Sequence, residues 1–281
     1  MSLSVVRLPR MQPNGAYSAG ADDDRVCLAR DKCGEQPVLW DRLSGTLEQM
    51  TPLSAAAANN AAWCDLVCRT HGISADLDGA AWTSRQRTPP LHPDAVTLTP
   101  GLAAADLLAR IDTSPGCSIK DSSATLDLTR HGFRVLFDAQ WIARSPTVPL
   151  AATDGPEWTV IRGTDDFTAW ERTWRGEHGP ADVLRADLLR EQSVTVMAAH
   201  VDGCIVGGAV LTRSAAVVGV SNFFADDSIT SVGWNGCLAL ATELFPGETL
   251  VGYESGDALD AARTHGFEAV GPLRVWVHEV G

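Results

Sequence analysis

Lysine is almost missing from this chain. Of 22 Lys and Arg residues only Lys32 and Lys120 are lysines, and 35 acids bring the formal charge to −13. Such a surface repels phosphate backbones, which argues against non-specific nucleic-acid binding. The Arg-rich, Ala-rich usage fits a high-GC coding bias, which concerns the genome more than the chemistry. No window holds 18 uninterrupted apolar residues, so no transmembrane helix is read. Met1 to Pro13 lacks an apolar core and a small-residue cleavage site, the two marks of a signal peptide. Neither Gly-x-Ser-x-Gly nor Gly-Lys-Ser/Thr occurs, which leaves a serine hydrolase of that type and a P-loop nucleotidase unsupported. Seven cysteines, an odd number, are spread over a chain long enough to bury its own core, and they need no disulfide framework. Cys64, Cys68 and His71 share one helical stretch but lack a second ligand pair. They read as small residues on a buried face, and no metal is expected. These absences describe a cytoplasmic protein in a reducing compartment, without a membrane or nucleic-acid partner.

What remains is an ordinary globular composition, 45% hydrophobic and 20% charged. A length of 281 residues suggests roughly two domains at about 150 residues each. Residues 1–50 form a poorly defined arm. Pro9, Pro13, Gly15, Gly20 and the run Asp22-Asp23-Asp24 show no period, while Val38–Trp40, Leu43 and Leu47 fit one docked helix. A first α/β lobe spans 51–143. Its helix starts near Ser54 as cap, runs through alanines, presents Trp63, Leu66 and Val67 on one face and stops at Gly72. Strands are expected at Ala95–Leu98, Cys117–Lys120 and Phe133–Ile142, with a helix at Ala103–Ile111.

Ser145-Pro146, Pro149 and Gly155-Pro156 mark a linker over 144–156. The second lobe, 157–281, opens with a strand at Trp158–Arg162. A helix carrying Phe167, Trp170 and Trp174 follows, then a second helix after Pro180 with Val183, Leu184 and Leu188. Val194 to Phe224 reads as a three-strand meander, with Asp202-Gly203 as a tight hairpin turn. A helix at Val232–Leu244, a strand at Thr249–Tyr253, a helix at Asp257–Thr264 stopped by Gly266, and a final strand or broken hairpin complete the order. Most of the nine tryptophans fall in these elements and read as core.

The order β-α-α-β-β-β-α-β-α-β over about 157–279, with Ala261-Ala262-Arg263-Thr264-His265-Gly266-Phe267 near its end, resembles the GCN5-related N-acetyltransferase family. The resemblance implies a mixed, mainly antiparallel sheet flanked by helices, arranged here in two lobes. It also implies acetyl-CoA, or another acyl-CoA, as cofactor. The acceptor would be a small-molecule or peptide amine that attacks the thioester directly. Leu126 to Phe133 echoes Leu259 to Phe267 with one gap, and each is followed by a strand that reaches a Trp, Trp141 and Trp276. An internal duplication with a degenerate first copy explains this echo. So does a chance match of two helix-Gly-Phe turns.

By family position, Phe223, Phe224 and Ala225 close a bulged fourth strand that holds the pantetheine arm. The pyrophosphate loop, Gln/Arg-x-x-Gly-x-Gly/Ala in the family, falls on Ser231-Val232-Gly233-Trp234-Asn235-Gly236. Amides at a helix N-terminus and glycines that allow close approach suit an anion there. Ser231 replaces Gln or Arg, Trp234 replaces the first glycine, and Gly236 matches the last. Gly233 serves if the loop shifts by one residue. Trp234 stands where it would plug the site or stack on an adenine or acyl group. Asp226 and Asp227 lie near the mouth that receives the phosphates.

The family's thiolate-protonating Tyr corresponds to Ala262, and its Asn after the fifth strand to Ser255. Tyr253 is then the candidate acid, Glu254 or Asp226 the candidate base, and Ser255 a hydrogen-bonding residue for the pantetheine. Half-buried packing of Tyr253 and a solvated turn at Asp226 are the competing readings. The alternative function is a catalytically inactive module of the same fold that binds a ligand or protein partner. The acidic surface would steer a cationic acceptor towards the site.

Overall fold

A computed structural model describes residues 50–152, 154–214, 217–226 and 229–279, and the expected N-terminal arm and its docked helix lie outside them. The first element is α1 (Pro52–Thr70). It starts earlier than the alanine run suggests, because Thr51, not Ser54, is the cap: Ser54 N donates to Thr51 Oγ1 at 3.2 Å, and Pro52 takes the first turn. Short strands β1 (Asp76–Leu77), β2 (Ala81–Thr83) and β3 (Ala95–Thr97) follow, then α2 (Ala104–Leu108), β4 (Ser118–Asp121) and the long β5 (Phe133–Arg144). The rest of the chain is β6 (Glu157–Val160), α3 (Thr164–Arg175), β7 (Val194–Val201), β8 (Cys204–Ser214), β9 (Val217–Ala225), α4 (Thr230–Leu244), β10 (Thr249–Glu254), α5 (Gly256–Thr264) and β11 (Glu268–His278).

All eleven strands join one sheet in the order β1-β2-β3-β4-β11-β5-β10-β9-β8-β7-β6. Two neighbouring pairs, β3–β4 and β9–β10, are parallel, and the other described pairs are antiparallel. The architecture is thus the mixed, mainly antiparallel α/β sheet flanked by helices. The centre of the sheet is an exchange. β5 leaves β4 and pairs with β10, while β11 leaves β10 and pairs with β4; β5 and β11 pair with each other. The segment expected as a linker joins β5, in the middle of the sheet, to β6 at its edge.

Strand alternation assigns the two faces. Val196 and Ala198 of β7 pack with α1 and α3, whereas Met197 packs with α4. On α3, Phe167, Trp170 and Trp174 lie 3 and 4 residues apart and are all buried. Each such side chain contributes roughly 1.5–3 kcal/mol through removal from water. Gly163 caps α3 without a side-chain bond, while Asp165 and Asp166 stand in its first turn, where the helix dipole favours them.

The expected helix after Pro180 is a single 3₁₀ turn, Ala186–Arg190. Asp182 adopts φ 58° and Arg185 is extended, which breaks any helical run. Val183, Leu184 and Leu188 still reach the core, so their spacing carried burial without the helix. Asp202 (φ 50°) and Gly203 (φ 77°) form the expected hairpin turn. The C-terminal segment is one strand, bulged between Ala269 and Gly271, instead of a broken hairpin. Among the described residues no helix is long and apolar enough to cross a membrane, and no group of three His, Cys, Asp or Glu side chains is gathered for a metal ion.

Candidate functional site

The parallel pair β9–β10 holds together only at its start, through Val217, Val218 and Gly219 against Thr249, Leu250 and Val251. Beyond that point β9 pairs with β8 alone. A bulge opposite Ala209 displaces it, with Asn222 at φ 55°. The strands therefore splay, and backbone polar groups of β9 on the β10 side lose their strand partner. Such groups in a half-closed sheet suit a ligand that carries amides of its own.

Helix α1 roofs the splay. Gly219 permits the approach, because a Cβ there would stand 1.8 Å from Asn59 Oδ1. Asn59 donates from Nδ2 to Thr212 O and Ser214 Oγ, both at 2.8 Å, and so ties the roof to the neighbouring strand. The result is a cleft of about 680 Å³, counted with its open mouth, between α1 and the β9–β10 fork.

Three residues singled out from sequence line this cleft: Phe223, Tyr253 and Glu254. Tyr253 is half-buried, and its ring meets Trp141 edge-on at 5.7 Å. Glu254 is buried, and the alternation of β10 turns it to the opposite face from Tyr253. Phe223 stacks on Trp234 at 4.1 Å and on Trp158 at 6.4 Å.

The other candidates lie elsewhere. Phe224 packs against Trp170 in the core on the α3 side, and Ala225 is buried on the α4 side, paired with Gly207 of β8. Asp226 continues from β9, its amide bonded to Val206 O. Ser255 is the N-cap residue of α5 and makes no capping bond with its side chain. Ser231 falls in the first turn of α4.

Trp234 is not at a mouth. It is buried on the inner face of α4 between Phe223, His265 and Phe267. Gly233 already donates to Ile229 O at 2.6 Å, and a Cβ on it would meet Ala225 at 3.4 Å. Gly236 accommodates the Trp158 indole, whose Cδ1 lies 2.3 Å from where a Cβ would stand. The supposed loop is therefore two turns of helix whose glycines serve packing. The amides ahead of Gly233 have no partner within the helix, and Ile229 provides no side-chain cap for them.

Several cleft residues were missed from sequence, above all Lys120. It lies on β4 and is only 6% exposed. Its Nζ donates to Asn60 Oδ1 at 2.8 Å and lies 4.5 Å from the centre of the Tyr253 ring. His92 lines the same cleft beside Trp63, and burial lowers its pKa to about 4. Burial also pushes the thiols of Cys64 and Cys68 up, and His71 turns from them to Val183 O at 3.0 Å. His265 directs Nδ1 to Asn235 Oδ1 at 3.0 Å.

No protein-family model matches this chain, and no curated protein matches it by sequence. Solved structures do. A GCN5-related N-acetyltransferase from Kribbella flavida aligns over 80% of this chain and 96% of its own, with TM-score 0.57 and 18% identity. A conserved protein of unknown function from Staphylococcus epidermidis covers 76% of this chain and 98% of its own, at TM-score 0.53 and 9% identity. A protein described as an acetyltransferase of the GNAT family, from Novosphingobium aromaticivorans, covers 83% and 100%, at TM-score 0.52 and 15% identity. The chain is similar to these in fold, a mixed α/β sheet flanked by helices that resembles that of the GCN5-related N-acetyltransferases.

Proposed function

We propose that this protein is an acyl-CoA-dependent N-acyltransferase acting on an amine. The observation that carries the reading is the fork of β9 from β10 past Gly219 and Val251, bulged at Asn222, within this fold. Acetyl-CoA, when bound, supplies the acetyl group as a thioester. The β9 backbone from Ser221 to Phe223 and the first turn of α4 are the groups available to hold it. Glu254 serves as base for the amine proton, and Tyr253 donates its phenolic proton on the leaving-group side. Packing of Tyr253 on Trp141 fixes the ring for that task.

We also infer that the chain arose by duplication. The order α-β-β-β-α-β-helical turn-β from α1 to β5 repeats from α3 to β11, with a 3₁₀ turn added after α3 and with the elements between the first helix and the last strand longer. The reciprocal exchange of β5 and β11 fits two copies related by a pseudo-twofold axis.

A second reading, an inactive module, draws on Ala262. It is buried against α4 where the family carries its Tyr, so α5 brings no acid. Titration with acetyl-CoA, followed by tryptophan fluorescence, separates the readings together with thiol release across an amine panel. Binding with release supports the transferase. Binding without release supports the module, and no binding at millimolar acetyl-CoA overturns the transferase.

A further inference from the structure

We infer that the cleft takes an acceptor that carries a carboxylate, and that Lys120 is its anion subsite. The word acceptor rests on the transferase reading; the subsite does not. Lys120 is buried in the cleft wall, yet no carboxylate of the described residues lies within ion-pair distance of it. Two buried acids of the same half are instead paired with arginines. Asp94 is held by Arg87 at 2.7 Å and Asp65 by Arg69 at 3.4 Å. The Lys120 ammonium has one amide oxygen, from Asn60, and the face of Tyr253. An ammonium has three donors, so these contacts leave one to give.

A buried charge without a counter-ion is costly, and it persists where something outside the fold completes it. The cleft supplies the place. Lys120 lines it together with Trp63, Trp174, Leu91, Tyr253 and Glu254. A buried ammonium with a donor to give, in an aromatic-lined cleft, matches a carboxylate such as that of an amino acid. The negative surface steers by overall field, but the local charge at the cleft wall selects the opposite sign.

The test is calorimetry on the full chain without acetyl-CoA. Each proteinogenic L-amino acid is titrated beside its C-terminal amide. At least one free acid is expected to bind, with its amide at least tenfold weaker. Lys120→Met should weaken the acid at least tenfold and leave the amide unchanged. Asn60→Asp provides a second variant that keeps the side-chain volume. It sets a carboxylate beside Nζ and should abolish the preference for the acid. If no acid binds, if acid and amide bind alike, or if Lys120→Met retains the acid, the subsite is refuted. Acetyl-CoA is titrated separately into the same protein. Acid binding without acetyl-CoA binding removes the transferase reading and leaves the subsite standing.

Discussion

Trp158 of β6 packs against Gly236 of α4, so close that a single methyl group on the glycine would overlap the indole. The contact locks the edge strand of the sheet to the helix. Gly236→Ala should destabilise the protein by about 1–3 kcal/mol through overpacking, although alanine is the better helix former. Denaturant unfolding measures it. An unchanged midpoint with weakened acetyl-CoA binding would instead make Gly236 a cofactor contact.

Tyr253 and Glu254 should separate in a kinetic assay. Tyr253→Phe keeps the ring over which Lys120 sits and the edge contact with Trp141, and removes only the hydroxyl. Glu254→Gln keeps shape and removes the base. Each should lower kcat by about 10²-fold or more with acetyl-CoA affinity intact. Fluorescence titration beside turnover checks both halves of the statement. A normal kcat in either variant would release that residue from its role.

His92 makes stability depend on pH. Burial lowers its pKa to about 4, against about 6.5 in an unfolded chain. Between those values the unfolded chain binds the proton and the folded one does not. Its contribution is therefore complete above about pH 6.5 and is lost as pH falls towards 4, with a slope approaching about 1.4 kcal/mol per pH unit. Asp65 works in the opposite sense, since burial raises its pKa. The difference between the parent protein and His92→Gln isolates the histidine. Stability curves that stay parallel from pH 7 to 4 would contradict the assignment.

Arg144 should prove structural. It is buried at 2% exposure and donates to three carbonyl oxygens, those of His265, Val148 and Pro149, at 2.9–3.0 Å. It thereby ties the segment after β5 to the end of α5. Arg144→Met should cost about 2–4 kcal/mol and speed proteolysis between 145 and 156. Limited proteolysis with mass mapping reads the second effect directly.

Local pattern made much of the fold legible. Alternation and the Asp202-Gly203 turn revealed the meander, and the spacing of Phe167, Trp170 and Trp174 revealed α3. Spacing misled after Pro180, because Val183, Leu184 and Leu188 match a helical stripe while the backbone at Asp182 turns left-handed. The exchange of β5 and β11 had no local sign, since register across more than a hundred residues is set by pairing and not by neighbours. For the site, Tyr253 and Glu254 could be reached by counting from Gly266. Lys120 could not be, though its rarity was visible. It belongs to the other half of the chain and meets Tyr253 only because α1 and β4 converge there. The pair Asn59-Asn60 inside an alanine helix was the available clue.

The strand exchange bears on how such a chain can be made. β4 has β3 on one side and needs β11 on the other, and β5 needs both β10 and β11. During synthesis the first half therefore leaves the ribosome with three strand edges open, one on β4 and two on β5, and the two that face β11 stay open until residues near 268–278 emerge. Exposed edges of this kind invite pairing with other chains. Vectorial folding of the N-terminal half to completion is ruled out by this topology, and the nascent protein must hold a partly formed sheet, or be held, until its last strand arrives.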